Sequence, residues 1–275
     1  MADPTDSAGK VGAGGKRTWG DLKVRVISGT VLAVASFGAL GIGGSVWLWF
    51  VGILTGLLVW ELFTLLAPED PVLARQMGLL SWACALFAIF FRAEMVVPTL
   101  LVPLVVTWIT LPDKRRMAVP AVLLILLSAF GMMSVRNEFG VNWMFWLVLL
   151  VAGTDIAGYF AGKAIGGPKT WPALSPNKTW SGTIAGWIAA ALIGAIFAWI
   201  IPTGWGLVVL SVAASMAAQL SDIAESAIKR SVGAKDSGTL IPGHGGVLDR
   251  FDGMIGATVL VLLVMTVTGY PAGAG

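Results

Sequence analysis

The sequence predicts an all-α, polytopic integral membrane protein with about nine transmembrane helices and a cytoplasmic N-terminus. Composition is the first ground. Of the 275 residues 57% are hydrophobic and 12% charged, about half the charged share of an ordinary soluble domain. Such a chain cannot clothe a globular surface in polar groups. The second ground is pattern. Long apolar runs recur from Val24 to Tyr270, broken by Gly and Pro rather than by strict alternation. That pattern marks helices, which satisfy their own backbone in lipid. The third is charge placement. With nine spans and the N-terminus inside, all 18 Lys and Arg residues except Arg92 and Arg136 fall on the inner side, as the bias toward cytoplasmic Lys and Arg requires.

The elements follow in order. Residues 1 to about 20 are rich in Gly, Ala, Lys and Asp and hold no apolar h-region, so residues 1–23 read as a flexible cytoplasmic tail and not as a signal peptide. Residues 24–270 read as one transmembrane domain. Its spans are expected near 24–44, 46–66, 77–91, 95–111, 118–135, 142–161, 181–201, 205–225 and 253–270. The third and fourth are shorter than a usual span. Trp47, Trp49, Trp143, Trp146, Trp171, Trp180 and Trp205 lie near span ends, where amphipathic rings favour the interface. The single Cys84 cannot form an internal disulfide. No internal repeat of the transporter kind is evident.

Charge inside apolar spans is costly and marks function. Glu61, Asp155, Asp222 and Glu225 each fall toward the inner end of a span, and Asp249 and Asp252 just before the last. Asp222 and Glu225 share a helix face at a three-residue spacing, and Lys229 continues it. Carboxylates from two segments suit Mg²⁺, a hard cation that takes oxygen ligands. The alternative for such residues is structural ion pairing. Glu61 is expected to be a helix-packing partner for a cation, the alternative being a contact with the site. The polar island at 226–253 carries Lys229, Arg230, Lys235, Asp236, Asp249, Arg250 and Asp252 among five glycines of one loop, with the only histidine, His244. Glycines let backbone N–H groups turn toward an anion, and the flanking cations make the loop a candidate polyphosphate cradle. His244 either donates to a phosphate, acts as acid or base, or ties the turn together. No second His or Cys stands nearby for zinc. Ser175-Pro176-Asn177-Lys178-Thr179 leads into the seventh span. Lys178 at a helix start opposes the macrodipole unless an anion binds beside it. Asp155 is either a metal or nucleotide contact or a partner for a buried lysine.

These residues resemble a known signature. Ser226-x-x-Lys229-Arg230, Lys235-Asp236-x-Gly238, Ile241-Pro242-Gly243-His244-Gly245-Gly246 and Asp249-Arg250-x-Asp252 are similar, in order, to the signature of phosphatidate cytidylyltransferases, also called CDP-diacylglycerol synthases. Thr154-Asp155-x-Ala157-x-Tyr159, Ser175 to Thr179 and Gln219-Leu220-Ser221-Asp222 also resemble the family, whereas the N-terminal helices match only in general character. The resemblance implies transfer of the cytidylyl group of CTP to phosphatidic acid of the inner leaflet, giving CDP-diacylglycerol and pyrophosphate. It implies catalysis within the transmembrane domain at 24–270, on the cytoplasmic face of a bacterial inner membrane, by a homodimer with no nucleic-acid partner. The catalytic set it implies is Asp222, Lys229, Asp249 and Asp252, with Asp222, Asp249 and Asp252 as ligands for Mg²⁺ and a second cation. Substrate contacts fall to Ser175, Lys178, Thr179, Arg230, Lys235, Asp236, His244, Arg250 and Asp155. Two positions depart from the pattern: many members carry Glu where this chain has Ser181, and Ser where it has Gly253. The first removes a candidate carboxylate; the second, at an expected helix start, is expected to change a cap. A transporter with an acidic relay is the rival class, but the acids gather at one face instead of crossing the bilayer.

Overall fold

The computed structural model describes residues 19–90, 96–201, 203–243 and 245–270. Most of the expected N-terminal tail, together with His244, lies outside the described residues. Among these residues the chain forms nine helices: α1 (Trp19–Ile42), α2 (Gly44–Leu66), α3 (Pro71–Phe90), α4 (Val96–Thr110), α5 (Arg115–Glu138), α6 (Val141–Ile165), α7 (Trp180–Ile200), α8 (Gly206–Ser231) and α9 (Leu248–Thr268). Eight are long and apolar enough to cross a membrane, and α4 is the shorter apolar helix. The protein is thus an all-α, polytopic membrane protein, with one helix for each expected span.

Helices α1, α3 and α5 begin three to six residues earlier than expected, and three further differences near the polar end have local reasons. Helix α8 runs on to Ser231 rather than stopping near 225, because Glu225 and Lys229 pair across one turn at 2.6 Å and carry the helix through its polar end. Helix α9 begins at Leu248 rather than 253, with Asp249 in its first turn, where an acid complements the helix dipole. Between α6 and α7 the expected loop contains an antiparallel hairpin, β1 (Lys169–Trp171) with β2 (Ser175–Thr179), pairing Lys169 with Thr179 and Trp171 with Ser175. The turn closes through Leu174 N–H donating to the Trp171 carbonyl at 3.2 Å. Thr179 then caps α7, its Oγ1 accepting from Gly182 N–H at 3.3 Å.

Two layers of helices pack side by side. Helices α2 to α5 form one group, and α6 to α9 the other, joined chiefly where α5 meets α9. Lipid is as apolar as leucine, so burial alone does not drive such helices together, and close backbone approach does. Helices α6 and α7 cross on Gly158, Gly162 and Gly182: a methyl group at Gly182 would stand 2.5 Å from the Gly158 carbonyl oxygen. Buried polar groups are answered locally. Trp146 Nε1 donates to Ser211 Oγ at 2.9 Å, and Trp47 Nε1 to the Met132 carbonyl at 3.0 Å. Thr55, Thr107, Thr154 and Ser211 each donate to the carbonyl four residues back in their own helix, at 2.6–2.8 Å. Apolar side chains such as Val34, Ile109, Leu192 and Val209 remain exposed, as lipid-facing positions do.

The α6–α7 crossing yields a test. Gly182→Ala is expected to cost about 1–3 kcal/mol, the usual range for overpacking a tight site. It should lower the thermal midpoint in detergent. Gly41→Ala, where an added methyl meets open space, should leave that midpoint unchanged.

Candidate functional site

The charged residues of the chain come together at one end of the bundle because a lysine in α8 reaches two carboxylates. Lys229 Nζ lies 2.6 Å from Glu225 Oε2 and 2.7 Å from Asp249 Oδ1. Lys229 and Glu225 are both buried. This joins the end of α8 to the start of α9. The other oxygen of Asp249 accepts from the backbone N–H of Ser237 at 2.9 Å and of Gly246 at 2.8 Å. The intervening loop is thereby folded back onto α9. Within it, Ile241 N–H donates to the Gly245 carbonyl at 2.9 Å, across a turn in which Gly243 and Gly245 have φ of 75° and 83°, a region costly for any side-chain-bearing residue. On the other flank Lys178, at the end of β2, forms an ion pair with Asp222 of α8.

Asp222, Glu225 and Asp252 each present one oxygen, all within 4.8 Å of one another. Three hard oxygen donors of this kind suit Mg²⁺. Glu225 Oε1 is buried with no hydrogen-bond partner, a costly state for a carboxylate oxygen that a cation would relieve. The donor set therefore fits a divalent cation. The sequence expectation grouped Asp222, Asp249 and Asp252. The structure puts Glu225 beside Asp222 and Asp252, and engages both oxygens of Asp249 with Lys229 and the loop. The signal for Glu225 was its three-residue spacing from Asp222 on one face.

Beside this cluster a cleft of about 740 Å³ opens between α6, α7, α8 and the hairpin. Asp155, Asn177, Lys178 and Thr179 line it, together with Lys163 and Lys169, two cations that the sequence reading did not single out. Its walls include Tyr159, Trp171, Trp180 and Trp187. Gln219 holds one wall, accepting from Trp187 Nε1 at 3.0 Å and donating to the Thr183 carbonyl at 3.4 Å. Ser175 sits half-buried in β2, one hairpin away from α7. Arg230, Lys235, Asp236 and Arg250 are exposed at the rim of the loop; Arg230 Nη1 donates to the Ala234 carbonyl at 2.8 Å.

Two expectations are revised by these contacts, those for Glu61 and Gly253. Glu61 does not pair with a cation: its Oε2 accepts from Leu248 N–H at 2.7 Å and Ser237 Oγ at 3.1 Å. Gly253 lies inside α9 against Val151 and Ala218, so its departure from the resembled pattern concerns helix packing and not a cap. Ser181, the other departure, donates to the Gly166 carbonyl and contacts Thr179 Oγ1 at 3.0 Å, tying the start of α7 to the end of α6.

Removing Lys229 would leave two largely buried carboxylates without their countercharge. Lys229→Met is expected to destabilise the chain by about 3–5 kcal/mol, as breaking a buried ion pair from one side does. Thermal unfolding in detergent reads the loss, and Lys229→Arg should recover part of it.

Comparison with known proteins agrees with this geometry. A family model described as the cytidylyltransferase family matches residues 23–268. A protein of Brucella suis named phosphatidate cytidylyltransferase is 47% identical over 148 residues, covering 52% of this chain and 55% of that protein. Proteins of the same name from Bacillus subtilis and Mycobacterium tuberculosis are 39% identical over 127 residues and 36% over 159, covering 44% and 57% of this chain and 47% and 48% of theirs. The matched stretch is thus about half the length of these curated relatives. By the match that runs through nearly all of its transmembrane region, the chain belongs to the cytidylyltransferase family.

Proposed function

We propose that this protein is a phosphatidate cytidylyltransferase, which joins CTP to phosphatidic acid and releases pyrophosphate. The observation that carries the reading is the placement of a three-carboxylate cluster between two lysines, directly beside a cleft with aromatic walls and further lysines. A charged end suits a polyphosphate, and an apolar wall suits acyl chains.

In the proposed reaction an oxygen of the lipid phosphate attacks the α-phosphorus of CTP. The bond between the α-phosphorus and the bridging oxygen breaks, and its electron pair leaves with pyrophosphate. A phosphate is already an anionic nucleophile, so no strong base is needed, and removal of a candidate carboxylate at Ser181 does not interrupt the scheme. The task left to the protein is to bring two polyanions together and to stabilise charge on the leaving group. Lys178, Lys163 and Lys169 provide positive charge along the cleft; Arg230, Lys235 and Arg250 provide it at the loop rim, with Ser175, Thr179, Asp155, Asp236 and His244 as further substrate contacts. Asp222, Glu225 and Asp252 are the proposed holders of Mg²⁺, and Asp249 is the proposed ligand of a second cation, which would have to displace one of its contacts to Lys229 and the loop. Bound there, the metal supplies Lewis-acid neutralisation of phosphoryl oxygens. Lys229 keeps Glu225 and Asp249 in place while the loop glycines hold backbone N–H groups close to the site.

The reading includes an inner-membrane location with the site facing the cytoplasm, supported by the distribution of Lys and Arg, and a homodimer, drawn from the family resemblance alone.

Purified protein in vesicles containing phosphatidic acid should release pyrophosphate from CTP only when Mg²⁺ is present. Asp222→Asn should lower that rate by roughly 10²-fold or more; full Mg²⁺-dependent turnover in this variant would remove Asp222 from the metal site. A cysteine placed at Lys235, in a chain with Cys84 replaced, should react with an impermeant thiol reagent in inverted membrane vesicles and not in intact spheroplasts.

A further inference from the structure

We infer that Glu61, in the first half of the chain, is the positioning residue that sets where the 232–247 loop and the start of α9 stand relative to the carboxylate cluster. The inference rests on the proposed function for its kinetic part alone. Glu61 is only 2% exposed and is the one charged residue of α2. An acid so placed is costly unless its oxygens are answered. Its Oε2 takes Leu248 N–H at 2.7 Å, the first residue of α9, and Ser237 Oγ at 3.1 Å, in the preceding loop. One carboxylate therefore caps α9 from a different helix and holds the loop with the same oxygen. The neighbouring backbone N–H of Ser237 goes to Asp249. Ser237 thus links Glu61 to the acid that Lys229 holds, and the link runs from α2 through the loop to α8.

The glycines of the loop fit this task. A methyl group at Gly246 would stand 2.5 Å from both oxygens of Glu61, and one at Gly238 would meet the same side chain. Neither position has the backbone conformation that favours glycine for its own sake; Gly238 requires room for the carboxylate, and Gly246 room for the carboxylate together with the Ser237 hydroxyl that donates to it. Glu61 Oε1 faces this pair of glycines, buried and without a hydrogen-bond partner. A carboxylate oxygen in that state is costly, so the position is held by the bonds that the other oxygen makes to Leu248 and Ser237. The N-terminal helices thereby contribute polar groups to a site otherwise built by the second half of the chain: Glu61 of α2, and Ser28 of α1, whose Oγ donates to the Pro242 carbonyl of the loop at 2.9 Å. Glu61 touches no substrate in this account; it acts through Leu248, Ser237 and Asp249.

The test is hydrogen exchange of the full chain in detergent or nanodiscs, together with steady-state kinetics. In Glu61→Ala, amides of residues 232–250 should exchange roughly tenfold or more faster, as expected when a hydrogen bond to a charged acceptor is lost, while α7 keeps its protection. Glu61→Gln, which retains a carbonyl oxygen for Leu248 N–H, should restore part of that protection. With cytidylyl transfer as the readout, Glu61→Ala should lower kcat more than it changes KM for CTP. Should Glu61→Ala fail to fold, Gly246→Ala decides the matter, and local loosening of 232–250 with α2 unchanged is the supporting outcome. Wild-type protection of 232–250 in the Glu61→Ala and Gly246→Ala variants overturns the inference, as does loosening spread evenly over α2 to α5. If the wild-type chain transfers no cytidylyl group, the proposed function falls while the exchange pattern still decides the place of Glu61.

Discussion

A lysine held between two acids organises this molecule. Lys229 sits at the end of α8 with Glu225 on one side and Asp249 on the other. Without a cation, those carboxylates repel each other in a poorly solvated setting, and the ends of α8 and α9 have no reason to stay together. With it, the two helices share a polar end, the loop between them is folded back on Asp249, and Asp222 and Asp252 are brought to the same place. The attraction must exceed the cost of taking three charges from water, which it does only when the remaining donors and acceptors are also met. Here the backbone N–H groups of Ser237 and Gly246 meet those of Asp249, while Glu225 Oε1 has no hydrogen-bond partner. The same economy of solvation explains why the acidic residues are clustered at all: one desolvated region is less costly than several.

Much of this arrangement is legible in the residues themselves. Apolar runs bounded by Gly, Pro and clustered cations produce one helix apiece, because lipid leaves the backbone no other choice. The carboxylates and lysines of the site are identifiable by their rarity in such a chain, and the i, i+4 spacing of Glu225 and Lys229 was a direct statement of contact. Other features depend on geometry that no local pattern encodes. The β1–β2 hairpin is too short for alternation to signal it, and its residues carry turn formers and prolines that read as loop. Asp249 was visible as an acid, but its engagement with Lys229 depends on how two helices end. Glu61 was visible as a costly acid; its true partners lie 176 and 187 positions away in sequence, beyond the reach of any spacing argument.

The cleft shows a division of labour within a small volume. Part of its wall is defined by backbone contact, where Gly158, Gly162 and Gly182 allow α6 and α7 to touch. The rest is defined by side chains, with aromatic rings and lysines on α6, the hairpin and the start of α7. Tyr159 illustrates the mixture, standing edge-on to Phe160 with the ammonium of Lys163 5.8 Å from its ring centroid. Rings with a polar tip suit the region where acyl chains give way to headgroups. The Thr179 cap fixes the hairpin to α7, so the lysine on β2 and the wall of α7 form one rigid surface.

The hydroxyl groups that donate to carbonyls of their own helices bear on how the chain is assembled in the bilayer. Thr55, Thr107, Thr154 and Ser211 are satisfied by bonds that exist as soon as each segment is helical, so these hydroxyls make no demand on neighbouring helices as α2, α4, α6 and α8 enter the bilayer. The acids at the polar end have no such self-sufficiency. Glu225 waits in its helix with only Lys229 one turn away, and Asp249 and Asp252 are made later. The two kinds of contact therefore differ in when they can form: the hydroxyl bonds as each segment becomes helical, and the Lys229–Asp249 pairing only once α9 docks. In a chain lacking α9, Asp222 still has Lys178 and Glu225 still has Lys229, but Glu61 is without Leu248 N–H, which leaves a costly acid poorly answered inside an apolar helix.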